Sequence, residues 1–235
     1  MECDRKLCKI AQNCPCKCVP NAKMLYCTTK KKLETLDDLK ILLSDCLSTF
    51  WEKDSDLIVN KVYEPVISGK FAMILFLTLY RDYPFFIQEK LDVDVEYNRC
   101  LKDPKTIHQN CEKCKKKICT EFPGDIPKES NIRPDIVFHK RLRHEYNKCV
   151  FEIKRSTAKN PAILESQKYR HDYAKLRALV CRRLGYKYKW GIHLTFFNSD
   201  TVVRIFQRNE IFDYKYDKTN KKLVKISIHR QASGD

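Results

Sequence analysis

The residues best suited to chemistry lie in the apolar segment 149–154, where Glu152 and Lys154 interrupt a run of hydrophobic side chains. Side chains alternate along a strand, so Val150, Glu152 and Lys154 share one face, while the apolar residues between them share the other. Burying such charged groups on that face costs on the order of several kcal/mol unless a metal ion or a partner compensates. The pattern therefore indicates a charged site, and the simpler alternative is a cross-strand ion pair on a solvated face.

A second carboxylate lies one segment upstream. Asp135 opens another short apolar run, residues 135–139, and a polar stretch separates this run from the segment that holds Glu152. Apolar runs arranged in this way predict the two strands of a hairpin, which would bring Asp135 beside Glu152. Two carboxylates and a lysine are what a magnesium site for phosphodiester cleavage needs. The carboxylates would hold the cation, and Lys154 would orient or deprotonate the attacking water or stabilise developing negative charge.

Hydrophobic periodicity predicts the elements that must position these residues. Leucines at three- and four-residue spacing predict one or two amphipathic helices over residues 33–58, and a further helix is predicted from Pro65 to about Arg81. After the hairpin, a helix is predicted over residues 162–184, with the buried stripe Leu164, Tyr169, Tyr173, Leu176 and Leu179. Strands are predicted over residues 85–99, 190–197 and 201–207 and in a terminal hairpin around 217–220. This mixture indicates an α/β or α+β class with a central sheet.

Composition limits the partners. The chain has 235 residues, with 46 Lys and Arg against 30 Asp and Glu, which gives a formal net charge of +16. This length suits one domain of ordinary size with a small appendage. A basic chain that also has a core favours a polyanionic partner, most often nucleic acid, and we expect DNA rather than RNA. The alternative is a lysine-rich surface whose charge only keeps the protein soluble.

The apolar segments argue against a membrane or secreted protein. The longest apolar run, residues 71–80, is shorter than the about 20 residues that cross a bilayer. The N-terminal residues lead into no apolar region of the kind found in a secretory signal. We therefore predict a cytoplasmic protein.

Cysteine is abundant, with 13 residues, most of them in two clusters. A reducing compartment disfavours disulfides and favours metal thiolates. In the second cluster Cys111 and Cys114 form a two-residue knuckle, which Cys100 and Cys119 would complete as a tetrahedral zinc site. The first cluster consists of Cys3, Cys8, Cys14, Cys16, Cys18 and Cys27. Zinc, free thiols and, less favoured, an iron–sulfur cluster remain open for both clusters.

These features divide the chain into two predicted parts. Residues 1–32 form a cysteine-rich, basic appendage that ends in Lys30, Lys31 and Lys32. Residues 33–235 form the main domain, into which the second cysteine cluster is inserted at 100–130.

Several motifs in this order resemble the PD-(D/E)XK nuclease superfamily, whose fold is that of restriction endonucleases. The pair Pro134-Asp135 followed by Glu152-Ile153-Lys154 matches its signature, and the resemblance covers about residues 60–197. It is closer to one branch of that superfamily, which consists of small, mostly uncharacterised bacterial proteins. The matching features are a helix that begins with Glu, the strings 95–99, 134–139 and 175–178, and the strand start 188–191.

The resemblance implies an α/β fold with a central mixed sheet flanked by helices and a magnesium- or manganese-dependent nuclease. It implies that Asp135 and Glu152 are metal ligands, that Lys154 is the catalytic lysine, and that Glu64 is a further catalytic acid and metal ligand contributed by the first core helix. Pro65 disfavours a helical conformation for the preceding residue, so we expect Glu64 at the helix cap. A carboxylate there is also favoured simply by the helix dipole.

Two further functions stay open. One is a non-catalytic nucleic-acid-binding protein on the same fold, and the other is a zinc-stabilised interaction module whose acids are structural. Basic residues on or near the 162–184 helix would contact phosphates or would simply form its solvated face; they are Lys168, Arg170, Lys175, Arg177, Arg182 and Arg183. His139, His144 and His171 show no metal-ligand spacing.

Overall fold

The computed structural model describes residues 31–96, 133–141, 143, 146–157, 167–181, 186–208 and 210–226, with the backbone of short strands between 99 and 131. Contacts divide the chain into Met1–Lys31 and Lys32–Asp235, and every element described below lies in the second unit. The predicted appendage and most of the predicted 100–130 insertion, including Cys111, Cys114, Cys119 and the side chain of Cys100, lie outside the described residues.

An open mixed sheet of seven strands organises this unit, in the order β1-β6-β7-β8-β9-β10-β11. The strands are β1 Asp92–Val95, β6 Ile136–His139, β7 Cys149–Arg155, β8 Trp190–Phe196, β9 Thr201–Gln207, β10 Glu210–Asp217 and β11 Lys222–Lys225. Only the β7–β8 pair is parallel among these neighbours. The short strands β2 Arg99–Cys100, β3 Asp103–Pro104, β4 Thr106–His108 and β5 Glu129–Asn131 form two separate pairs. The predicted hairpin is confirmed as β6–β7, and the α/β class is confirmed with it.

The helices are α1 Leu36–Lys53, α2 Asp56–Val59, α3 Glu64–Asp82, α4 Pro84–Gln88 and α5 Gln167–Val180. Helix α1 begins with a capping box, in which the Thr35 hydroxyl accepts from Asp38 N and the Asp38 carboxylate accepts from Thr35 N. Helix α3 begins at Glu64 with a proline in its first turn, where a missing N–H costs nothing. The helices predicted over 33–58 and from Pro65 are therefore confirmed.

The sheet is covered on both faces. On one face α1 and α3 bury an aromatic core against the sheet, in which the Phe50 and Phe196 ring centroids are 4.7 Å apart. On the other face α5 packs over Val137 and Val150 through its predicted stripe, of which Tyr169, Tyr173, Leu176 and Leu179 are buried and Leu164 lies outside the described residues. Because α5 follows β7 and precedes the parallel strand β8, it forms the crossover between the two central strands.

Three expectations about elements were wrong. Residues 85–88 belong to α4, so the strand predicted over 85–99 begins only at Asp92. Helix α5 ends at Val180 and not at residue 184. Glu64 is the first helical residue, and Tyr63, with φ −61° and ψ 135°, takes the cap position instead. The residue before a proline usually has an extended conformation. Here Tyr63 is the extended residue instead, and Glu64 is helical although Pro65 follows it, because the first turn of a helix tolerates proline.

Within the described residues, no helix combines the length and the apolar character needed to cross a bilayer.

Glycine allows α5 to approach the sheet closely. A Cβ placed on Gly191 of β8 would lie 3.1 Å from Leu176 Cβ and 3.3 Å from the Leu176 carbonyl oxygen. Both distances are tighter than ordinary van der Waals contact. The position of α5 over β7 and β8 therefore depends on a residue without a side chain at position 191.

We expect Gly191→Ala to destabilise the protein by about 1–3 kcal/mol, because the added methyl group pushes α5 away from the sheet. The matched control is Gly69→Ala in the middle of α3, where nothing lies within 4 Å of the added Cβ. That substitution should stabilise the protein by about 0.5–1 kcal/mol, since alanine loses less backbone entropy in a helix. Urea unfolding of both variants measures the difference, and equal effects of the two substitutions would refute the close approach.

Candidate active site

Strand β7 carries the central carboxylate on its α5 face. Phe151 and Ile153 belong to the core under α1 and α3, whereas Val150 packs under α5, so the predicted alternation is confirmed. Glu152 lies on the α5 face between these apolar residues, and only 1% of it is exposed. In the parallel register Glu152 pairs with His193 of β8.

Asp135 lies directly before β6, at the position the hairpin predicts. Its Oδ2 accepts a hydrogen bond of 2.6 Å from the backbone N–H of Ile153, next to Glu152 in the chain. Burial raises the pKa of Asp135 above its usual value, and Asp172 adds to this, against the opposing effects of the Ile153 N–H, Lys154 and Lys175. The hairpin therefore holds the two motif carboxylates near one another, each partly deprived of water.

Glu64 reaches the same place from the start of α3. Its Oε1 accepts a hydrogen bond of 3.2 Å from the backbone N–H of Arg155, and its Oε2 lies 3.6 Å from Lys154 Nζ. The first residue of a helix is also where its dipole favours negative charge. The helix start and the end of β7 are thus joined through one carboxylate that remains partly exposed.

Helix α5 adds two charged residues to the site. Asp172 Oδ2 lies 3.6 Å from Lys154 Nζ, and Asp172 Oδ1 lies 3.1 Å from Lys175 Nζ. Lys175 Nζ in turn lies 2.8 Å from Glu152 Oε1. We call these residues the acid–lysine cluster; its members are Glu64, Asp135, Glu152, Lys154, Asp172 and Lys175.

Burial has the largest effect on the pKa of Glu152. Burial raises the pKa of Glu152 from its ordinary 4.5 to about 8, although Lys175 opposes the shift. The Lys175 ammonium lies within ion-pair distance of Glu152 Oε1, but that buried oxygen has no hydrogen bond of good geometry. A buried carboxylate with an unsatisfied oxygen is costly to ionise. A cation at this oxygen would lower that cost.

The pKa values of Lys154 and Asp172 shift in the directions that keep both groups charged. Burial opposes the charge on Lys154, but Asp172, Asp135 and Glu64 outweigh it and raise the pKa of the ammonium. Burial likewise opposes the charge on Asp172, and Lys175 and Lys154 outweigh it and lower the pKa of that carboxyl. Lys154 is therefore a fixed positive charge at neutral pH, a state suited to stabilising negative charge and unable to accept a proton.

His193 lies beneath the cluster on β8 and is fully buried. Burial lowers the pKa of its imidazole to about 3, so the ring is neutral at physiological pH. Tyr169 and Tyr173 of α5 meet the ring edge to face, with centroids 5.3 and 4.9 Å away. His193 therefore fills the space between strand and helix and positions α5 above Glu152.

The cluster lacks, among the described residues, a ready three-ligand metal site but has the carboxylates that magnesium uses. Within the described part of the chain, no three Asp, Glu, His or Cys side chains are arranged as a ready metal site. Magnesium, however, is usually bound by one or two carboxylates together with water and substrate phosphate, so three protein ligands are not required. The cluster holds more carboxylates than lysines, and its most buried carboxylate lacks a hydrogen bond at Oε1. This excess of negative charge fits a divalent cation shared by Asp135 and Glu152.

Sequence reasoning identified part of this cluster. The structure brings together Glu64, Asp135, Glu152 and Lys154, and it places the Glu64 carboxylate against Lys154 and the backbone N–H of Arg155. It places Lys175 in the cluster with 13% of its side chain exposed, rather than on a solvated helix face. Asp172 was missed, although it follows the buried Tyr169 by three residues and so lies beside the apolar stripe of α5.

The remaining candidates lie elsewhere. Arg170 is exposed on α5, as a solvated face predicts. His139 bonds Asp94 across the β1–β6 pair at 2.9 Å, in agreement with a structural role. Arg182, Arg183 and His144 lie outside the described residues.

Comparison of the chain with protein-family models, with curated proteins and with solved structures finds no match.

Glu152 makes the stability of the protein depend on pH. Between pH 4.5 and about 8 the unfolded chain releases the Glu152 proton and the folded chain keeps it. The folded state then binds more protons, so the free energy of unfolding falls as the pH rises through this window. We expect Glu152→Gln to be more stable than the wild type by on the order of 1–3 kcal/mol at pH 8 and nearly equal to it at pH 4.

Chemical denaturation across this pH range, without divalent metal, measures the effect. The matched control is Glu210→Gln, which changes an exposed glutamate of β10 and should leave the pH dependence as it is in the wild type. A stability difference for Glu152→Gln that is the same at both ends of the range would contradict the raised pKa.

Proposed function

We propose that this protein is a magnesium-dependent nuclease of the PD-(D/E)XK superfamily, which hydrolyses phosphodiester bonds, with DNA as the expected substrate. The observation that carries the proposal is the convergence of Asp135, Glu152 and Lys154 with Glu64 around the end of β7. A mixed sheet with helices on both faces supports the restriction-endonuclease-like architecture. The formal charge of +16 supports a polyanionic substrate.

Each residue has a role that follows from its surroundings. Asp135 and Glu152 would hold the metal, because both are carboxylates whose burial makes a nearby cation favourable. When bound, Mg²⁺ supplies Lewis-acid stabilisation of the phosphate and activation of water. Lys154 remains protonated and stabilises the negative charge that develops on the phosphate oxygens. Glu64, the more exposed acid, accepts a hydrogen bond from Arg155 N and would be a further carboxylate for the metal.

The α5 residues Asp172 and Lys175 would position the reacting groups and would not take part in the reaction themselves. Asp172 lies within 3.6 Å of both lysine ammonium groups and holds them on the side of the cluster that faces α5. Lys175 partly offsets the cost of ionising Glu152 while no metal is bound. A metal entering the site would take over that offset, and Lys175 would keep Asp172 as its partner.

Cleavage of plasmid and single-stranded DNA tests the proposal. We expect cutting with Mg²⁺ or Mn²⁺ and none in EDTA. Asp135→Asn, Glu152→Gln and Lys154→Met should each lower the cleavage rate by about 10²–10³-fold or more, since each removes a metal ligand or a charge that stabilises the transition state. Binding of DNA should change only a few-fold, because phosphate contacts outside the cluster remain.

The matched control is Glu52→Gln, which changes an exposed carboxylate that contacts Lys221 and should cut like the wild type. Cleavage by all three cluster variants at the wild-type rate would show that the site is wrong. Salt-sensitive binding with no cleavage under any metal would favour the non-catalytic nucleic-acid-binding protein instead. Zinc at the cysteine clusters stays a separate prediction, which metal analysis of the purified protein tests.

A further inference from the structure

Beside the acid–lysine cluster lies a cleft of about 310 Å³, most of whose lining residues have no role in the proposed reaction. Its lining residues are Lys61, Val62, Tyr63, Glu64, Pro65, Asp135 and Arg155. Glu64 and Asp135 belong to the cluster, so the cleft opens directly onto the proposed reaction centre. The other charged groups that line it, Lys61 and Arg155, are positive.

Arg155 carries an unused donor. Its Nη1 is buried and has no hydrogen-bond partner within the described residues, where Arg155 also forms no ion pair. Buried polar groups without partners are rare, and a guanidinium matches a phosphate in geometry and charge. Its backbone N–H is held by Glu64 Oε1, so the strand end that presents it is fixed. The free donor therefore indicates an anion that binds beside the reaction centre.

Lys61 occupies a strained backbone position at the mouth of the same cleft. Helix α2 ends with hydrogen bonds from Lys61 N to Ile58 O and from Val62 N to Leu57 O, and Lys61 has φ 57°. This is the Schellman arrangement, in which glycine is preferred at the left-handed position. A lysine there keeps an exposed ammonium at the cleft in spite of a backbone cost, and such strain is often retained at functional sites. The same hydrogen bonds fix the loop that leads into Tyr63.

Tyr63 supplies an aromatic surface. It is the cap residue of α3 and is 76% exposed, the most exposed of the large hydrophobic side chains in the described residues. An aromatic ring beside positive groups in a groove is the usual arrangement for binding a single strand, because an unpaired base stacks on the ring while the cations contact phosphate. In a duplex the bases are stacked on one another, and this ring would have nothing to stack on.

We infer that this cleft binds one unpaired nucleotide next to the scissile phosphate, with its base stacked on Tyr63 and its phosphate held by Arg155 and Lys61. The preferred substrate is therefore a single strand or an unpaired strand end. This inference rests on the proposed nuclease function for the reaction that follows binding. Binding of the nucleotide depends only on the cleft, so either the nuclease proposal or the binding inference can be wrong while the other holds.

Binding of short labelled oligonucleotides in EDTA tests the inference without cleavage. Tyr63→Ala should weaken binding of single-stranded DNA or RNA by about 5- to 150-fold, the effect of losing one stacked base, and leave duplex binding unchanged. Tyr63→Phe keeps the ring and should bind like the wild type. The matched control is Tyr80→Ala, which removes another exposed tyrosine of α3 away from the cleft and should have no effect.

A second variant tests the phosphate contact. Arg155→Met should weaken single-strand binding and make the negative slope of log K against log salt concentration shallower by about 0.7. The inference is overturned if Tyr63→Ala binds single strands as the wild type does, if it loses single-strand and duplex binding equally, or if the wild type binds neither. Failure of the nuclease proposal would look different: strand binding would still depend on Tyr63 and Arg155, with no cleavage under any divalent metal.

Discussion

Burial of Glu152 in the middle of the sheet is the constraint on which the rest of the site depends. A carboxylate that is 1% exposed in an apolar strand is expensive to ionise, and burial raises its pKa to about 8. Lys175 of α5 approaches to 2.8 Å and partly offsets that cost. Glu64 and Asp172 lie within 3.6 Å of the lysine ammonium groups, and Asp135 is held at the neighbouring backbone, so three separate segments converge on the end of β7.

Backbone hydrogen bonds and the close packing of α5 around Glu152 support this arrangement. A hairpin brings Asp135 to the backbone N–H of Ile153, and the first residue of α3 brings Glu64 to that of Arg155. The crossover helix α5 lies close over the sheet because Gly191 has no side chain to hold it away. The neutral ring of His193 fills the space beneath. The cluster is therefore built on rigid elements on both faces of the sheet, which is what precise positioning of reacting groups requires.

The two sides of the cluster differ in burial and in the pairing of their charges. Toward α5 the charges are buried and paired, and Lys154 and Lys175 share Asp172. Toward the start of α3 the site opens into the cleft, where the cations of Lys61 and Arg155 have no acidic partner in the described residues and Tyr63 is exposed. A polyanion approaching from the open side would meet unpaired positive groups first and the carboxylates behind them.

The sequence by itself determined the α/β class, the β6–β7 hairpin, a helix over residues 65–81 and the shared face of Glu152 and Lys154, because these follow from local periodicity and from alternation along a strand. Only the tertiary structure decided that Asp172, Lys175 and His193 belong to the site. These residues are distant in sequence from the motif, and a polar residue beside an apolar helix stripe is indistinguishable from a solvated one until the opposing surface is known. Short elements such as α4 were also decided by packing, since Phe86 is buried against Phe138 and a four- to five-residue apolar run fits helix and strand alike.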